Sequence, residues 1–133
     1  MSNVDTIKQI YAAFGRGDIA AIIGQLDPNV EWDVEAPTPG VPWLQPRRGA
    51  ASVPAFFESL APLSIDRFDP HTFFEDGNKV FALIAIDATH RASGKQYKFP
   101  YEGHLWFFNG AGKVVKYQHV TDTAQHQRAA KGE

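Results

Sequence analysis

No cysteine occurs among the 133 residues, so disulfides, zinc–thiolate sites, iron–sulfur clusters and cysteine nucleophiles are all excluded. Positive charge is not in excess either. Fifteen acidic side chains outnumber 13 basic ones, giving a net charge of −2, which leaves no field to hold a phosphate backbone and makes nucleic acid an unexpected partner. No apolar run approaches the ~18 residues of a membrane span, and the Met1–Asp5 start lacks a basic and apolar signal pattern. A cytoplasmic protein without a membrane partner is the expectation. G-x-G-x-x-G, P-loop and G-x-S-x-G motifs are missing, as are H-x-H, H-E-x-x-H and carboxylates clustered at ligand spacing. No cofactor and no metal are therefore expected.

What is plentiful is aromatic surface. Phe, Tyr and Trp make up 13% of the chain, more than closing so small a core requires, since each ring buries ~150–250 Å². The surplus has two destinations, the wall of an internal pocket or an oligomer interface.

The length allows a single domain over residues 1–133. Val4, Ile7, Ile10, Tyr11 and Phe14 recur at helical spacing, with Ser2 or Asn3 as cap and Gly15 and Gly17 as the stop. Asp18 caps a second helix whose stripe runs Ile19, Ile22, Ile23, Leu26, ending at Asp27-Pro28. Val30, Trp32 and Val34 alternate with acidic residues and predict a short strand with these three on its buried side. Four prolines between Ala36 and Gly49 predict an irregular loop, and Trp43-Leu44 at its tip predicts a flap that folds back over the protein. A third helix carries Val53, Phe56, Phe57 and Leu60 on one face, with Ser52 as its cap.

From Ser64 onward the chain has strand character, with segments 64–75, 80–91, 96–108 and 114–121 separated by turns at Asp76-Gly77, Ser93-Gly94 and Asn109-Gly110. Helices followed by hairpins give an α+β fold with helices packed on one face of a curved antiparallel sheet. The tail after about residue 123 is either helical or disordered. Val80–Ile86 and Leu105–Phe108 are unbroken apolar runs, whereas a sheet with one wet face alternates. Helices cover one face only, so the other is expected to pack on a second copy, giving a homodimer.

The order of elements, the Gly17-Asp18-Ile19 junction, Asp27 to Trp32 (DPNVEW), Arg48-Gly49 and the run Glu102 to Gly110 (EGHLWFFNG) together resemble the ketosteroid isomerase and SnoaL-like polyketide cyclase group. That group belongs to the nuclear transport factor two-like superfamily. The resemblance implies a cone-shaped curved sheet wrapped around three N-terminal helices, enclosing an apolar pocket for a small ligand. In the isomerases a base stands near the end of the first strand, and an oxyanion hole combines a helical Tyr with a strand carboxylic acid. Counted onto this chain, the base position falls on Val34, with Asp33 one residue away and facing outward, which argues against steroid isomerisation. The acid position falls on His104 and the helical Tyr on Ile10, next to Tyr11.

Within that frame His104 shares the inward face of its strand with Glu102, Trp106 and Phe108. An imidazole buried against tryptophan has a depressed pKa and serves proton transfer. Asp122 stands where the cyclases carry an acid/base carboxylate; it is equally an ordinary cap for a C-terminal helix. An ungapped count sends Tyr117, His119 and Thr121 inward and Asp122 outward, which a bulge would reverse. The catalytic candidates are therefore His104, Asp122, His119 and Tyr11. Trp32, Val34, Trp43, Phe14, Phe56, Trp106 and Tyr117 are the ligand-binding candidates. His71, His90 and His126 are expected at the solvated surface. Two functions fit: a cofactor-independent acid/base enzyme of isomerase, cyclase or lyase type acting on a carbonyl or polyketide-like compound, and a ligand-binding dimer without catalysis.

Overall fold

The computed structural model describes residues 2–133, so Met1 of the Met1–Asp5 segment lies outside the described residues. Helix α1 (Asn3–Gly15) opens on a capping box in which the Ser2 hydroxyl accepts from the Asp5 amide and the Asp5 carboxylate accepts from the Ser2 amide. Helix α2 (Ile19–Ile23) is capped by Asp18 and is shorter than its stripe predicts. Strand β1 (Leu26–Trp32) takes over at Leu26, so Asp27-Pro28 lies inside the strand instead of ending the helix. A 3₁₀ turn (Pro42–Leu44) and a two-residue strand β2 (Arg47–Arg48) interrupt the proline-rich loop. Helix α3 (Pro54–Ser59) follows a second 3₁₀ turn, Ala50–Ser52; Ser52 bonds back to the Gly49 carbonyl and is not the cap.

Strands β3 (Leu63–Asp76), β4 (Lys79–His90), β5 (Gln96–Phe108) and β6 (Val114–Val120) form the antiparallel meander that the turn signals predict. The sheet is open and ordered β2-β1-β6-β5-β4-β3. It is mixed, not purely antiparallel, because β1 runs parallel to β6. The tail is ordered: α4 (Thr123–Lys131) has Asp122 as its cap and buries His126 and Ala129. The fold is α+β, with helices against the concave face of a curved sheet.

That face carries the core. Val80, Ala82, Ile84 and Ala88 of β4 point inward and are fully buried, as are Trp106 and Phe108 of β5 and Val114 and Tyr117 of β6. The alternate positions Phe81, Leu83, Leu105 and Phe107 are only half-buried on the outer face, so the unbroken apolar runs do supply two apolar faces. Register irregularity between Ile84 and Ile86 marks a bulge in β5 at Pro100-Tyr101. Phe99 and Glu102, three residues apart, therefore both face inward while Tyr101 is exposed.

Candidate active site

The helices and the concave sheet enclose a cavity of about 90 Å³, several times the ~10–15 Å³ that one water needs. Its walls are apolar over most of their area: Ile10 and Phe14 from α1, Phe56 and Phe57 from α3, and Ile65 and Phe68 from β3. Tyr11, Trp32, Trp43, Trp106 and Tyr117 add aromatic rings. Polar side chains gather at one end, where Glu102, His104, His119 and His126 line the same space. Of the sequence candidates, the cavity holds Tyr11, Phe14, Trp32, Trp43, Phe56, His104, Trp106, Tyr117 and His119.

Two candidates lie elsewhere. Val34 is not part of the cavity wall, because β1 ends at Trp32 and Asp33 adopts φ 55°, a left-handed conformation that Asp tolerates better than most residues. The turn breaks the strand's alternation and swings Asp33 inward, to 1% exposure. The objection drawn from the base position thus rested on a parity that the backbone does not keep. Asp122 is exposed and accepts from the Gln125 amide as the cap of α4, so it is not in the site.

Asp33 is tied to β6. Its Oδ1 accepts from the His119 backbone amide (2.8 Å) and from the Gln118 amide group (3.3 Å), and its Oδ2 lies 2.7 Å from His119 Nδ1. A carboxylate on Nδ1 fixes the proton there and leaves Nε2 as the basic nitrogen. Nε2 in turn lies 2.9 Å from the Tyr117 hydroxyl, which is its donor. Burial, reinforced by Asp33, raises the Tyr117 pKa, so that hydroxyl keeps its proton.

On β5, His104 sits directly opposite His119 in the register. Trp106 Nε1 donates to the Tyr11 oxygen (3.1 Å), and the Tyr11 hydroxyl is 2.9 Å from His104 Nδ1. The indole fills one acceptor position of the Tyr11 oxygen, and donation of the Tyr11 proton to Nδ1 leaves the proton of a neutral His104 on Nε2. Burial, with the neighbouring His119, lowers the His104 pKa to about 3 despite the opposing pull of Glu102. At neutral pH His104 is an uncharged N–H donor in an apolar chamber.

His126 was expected at the surface and is buried at 7% exposure. Trp43 Nε1 donates to its Nδ1 (2.9 Å), so Nε2 carries the proton and donates to Glu102 Oε1 (2.9 Å). The flap does fold back, and this bond is what anchors its tip to α4. Burial pushes the Glu102 carboxyl up, but the His126 bond and the surrounding imidazoles outweigh it and hold the pKa at about 2. Thr121 also donates to Glu102. Sequence reasoning missed Asp33 and His126. The His126–Ala129 spacing on one helical face was the available signal for the latter.

The SnoaL-like domain model matches residues 7–117. No curated protein matches the chain. Among solved structures, a nuclear transport factor two-like protein of unknown function from Burkholderia pseudomallei is 26% identical, with 98% of each chain covered and a TM-score of 0.82. TerC, co-crystallised with polyporic acid, is 23% identical over 97% of this chain and 98% of its own, with a TM-score of 0.79. A Pseudomonas putida protein provisionally designated a polyketide cyclase is 19% identical over 94% and 95%, with a TM-score of 0.77. The last two likenesses concern the fold alone. With the family model covering most of its length and the cone of helices and sheet enclosing the cavity, this chain belongs to the SnoaL-like domain family.

Proposed function

We propose that the protein is a cofactor-independent acid/base enzyme that moves a proton at a carbon next to a carbonyl in a small, largely apolar, ring-bearing compound. The observation that carries this reading is the pairing of a carboxylate-backed imidazole with a neutral imidazole donor across one apolar cavity. His119 Nε2 takes the proton, and Asp33 holds the imidazolium that results. The carbonyl oxygen rests on His104 Nε2–H, which Tyr11 polarises from behind; as negative charge develops on that oxygen, a donor in a water-poor chamber stabilises it strongly. Trp32, Trp106 and Phe56 supply flat apolar walls for the ring. Isomerase, cyclase and lyase outcomes all begin with this step.

The non-catalytic alternative is favoured by one contact: the lone pair of His119 Nε2 is already occupied by the Tyr117 hydroxyl. Catalysis requires a ligand to displace that bond. The outer sheet face, with Phe81, Leu83, Leu105 and Phe107 half-buried, supports a homodimer through that surface.

Both readings are separated by incubating the protein with a panel of small cyclic ketones in D₂O containing a chelator and following loss of the α-proton signal by NMR. The enzyme reading expects exchange above the buffer rate for at least one ketone. It also expects a drop of about 10²–10⁴-fold in Asp33→Asn and His119→Gln, the usual range for a lost general base. Saturable ketone binding with exchange at the buffer rate would make the protein a binder.

A further inference from the structure

The proton-transfer reading leaves one buried charge unexplained. Glu102 is 2% exposed, and both its oxygens accept hydrogen bonds, Oε1 from His126 and Oε2 from Thr121, as an anionic carboxylate does. Its nearest imidazole partner, His126, is neutral, because Trp43 can only donate and therefore occupies an unprotonated Nδ1. Thr121, its other side-chain partner, is neutral too. Buried carboxylates are normally matched by a cation or bound to a metal, and among the described residues no Lys or Arg makes an ion pair with Glu102.

Beside this anion stand two imidazoles in a geometry set by the sheet. Glu102 and His104 are two residues apart on β5 and share its inward face; His119 is the direct partner of His104 on β6. Donor atoms of the three all lie within 4.8 Å of one another. The sequence shows no ligand motif because the ligands converge through strand pairing and not through a short spacing along the chain.

Each of the three is also held from its far side. His119 Nδ1 is bound to Asp33, His104 Nδ1 to Tyr11, and Glu102 to His126 and Thr121. This is how metal-binding imidazoles are oriented, with the second nitrogen anchored and the first directed at the ion. Both Glu102 oxygens are hydrogen-bonded, and Oε1, with His126 as its one donor, keeps a lone pair for the ion. Among the described residues nothing bonds the remaining His104 nitrogen.

We propose that Glu102, His104 and His119 bind one divalent transition-metal ion of the zinc class, with the cavity side left open to water or a ligand oxygen. Two imidazoles and one carboxylate are a borderline donor set suited to zinc or cobalt(II) and ill suited to magnesium or calcium. Tetrahedral bonds of about 2.0–2.1 Å place donors about 3.4 Å apart, so the three side chains close in by rotation when the ion enters. The His104 proton moves to Nδ1 and points at the Tyr11 oxygen, the Tyr11 hydroxyl proton turns away from Nδ1 toward the cavity, and the Tyr117 hydroxyl turns away to release His119 Nε2. The ion and the proton-transfer step therefore compete for the same nitrogen. This inference does not rest on the proposed reaction.

The test is titration of chelator-stripped full-length protein with zinc by calorimetry and with cobalt(II) by visible absorption. The expected result is one ion per chain, a dissociation constant in the micromolar range or below, and the intense cobalt bands of a low-coordinate site. Affinity should fall at least 100-fold in His104→Gln and in Glu102→Gln, and 10–100-fold in Asp33→Asn, each with an unchanged circular dichroism spectrum. His71→Gln, at the exposed histidine, should bind as the parent does. Should Glu102→Gln not fold, chemical-shift changes on cobalt addition in the parent must centre on His104 and His119. Absence of saturable binding, binding undiminished in His104→Gln, or shifts centred on His71 or His90 would overturn the proposal. If zinc binds and ketone exchange is absent even with chelator, the reaction fails and the metal site stands; exchange with no zinc binding gives the converse.

Discussion

Two carboxylate–imidazole pairs border the same cavity, and they are wired differently. In Asp33–His119 the carboxylate meets Nδ1 and the other nitrogen faces a tyrosine hydroxyl, a group that can rotate away or hand on a proton. In Glu102–His126 the carboxylate meets Nε2, and the other nitrogen is capped by the Trp43 indole N–H, which cannot accept in return. The first pair has a usable basic nitrogen. The second has none left, and its bonds instead join β5, α4 and the flap. Identical chemical groups thus serve proton transfer in one case and closure in the other, according to what sits on the far side of the ring.

The largest effect on stability should come from breaking the second pair. His126→Leu keeps comparable bulk but leaves Glu102 without its main donor and Trp43 without an acceptor. Losing a hydrogen bond to a buried carboxylate and stranding the Trp43 N–H together cost about 3–5 kcal/mol, and urea unfolding should show a loss of that size. A loss under 1 kcal/mol would mean that the pair is not the clamp it is taken to be.

Acid should weaken the fold in two windows. The His104 pKa falls from 6.5 unfolded to about 3 folded, so the unfolded chain binds the extra proton, and stability declines as pH drops below about 6.5. Glu102 falls from 4.5 to about 2; its contribution is complete above 4.5 and is lost as pH falls toward 2. Between pH 6.5 and 4.5 the His104 share of the slope approaches about 1.4 kcal/mol per pH unit. His104→Gln should flatten that upper window and leave the lower one. A variant with the parent's slope between 6.5 and 4.5 would remove His104 as its source.

The smallest effect belongs to Asp122. As a helix cap outside the cavity, Asp122→Ala should cost about 1 kcal/mol and leave ketone exchange unchanged. A large loss of exchange with an intact fold would return this carboxylate to the site.

Much of the fold was readable because it follows from period and punctuation. The turns at Asp76-Gly77, Ser93-Gly94 and Asn109-Gly110 set the meander, and strict alternation placed Glu102, His104 and Trp106 on one face. What was not readable depended on single backbone angles and on long-range partners. Asp33 enters the site through one positive φ, which no period encodes. His126, on α4, is recruited by Trp43, 83 residues earlier in the chain, and by Glu102 on β5. Val34 was misplaced because alternation was extended past the point where the strand ends, whereas Asp122 entered the site only through the family resemblance, and alternation and the capping rule had put it where it stands, outside the cavity.

The contrast between the two pairs is tested most directly by the positions of the imidazole protons. Long-range ¹H–¹⁵N correlation spectra of the ring nitrogens at neutral pH, with His119→Gln and His126→Gln used for assignment, report the tautomer of each histidine. The expected pattern is a neutral His126 protonated on Nε2 and a His119 whose Nδ1 carries the proton facing Asp33. A His126 protonated on Nδ1, or a His119 with its proton on Nε2 alone, would contradict the account, since the basic nitrogen would then face away from the cavity's ligand.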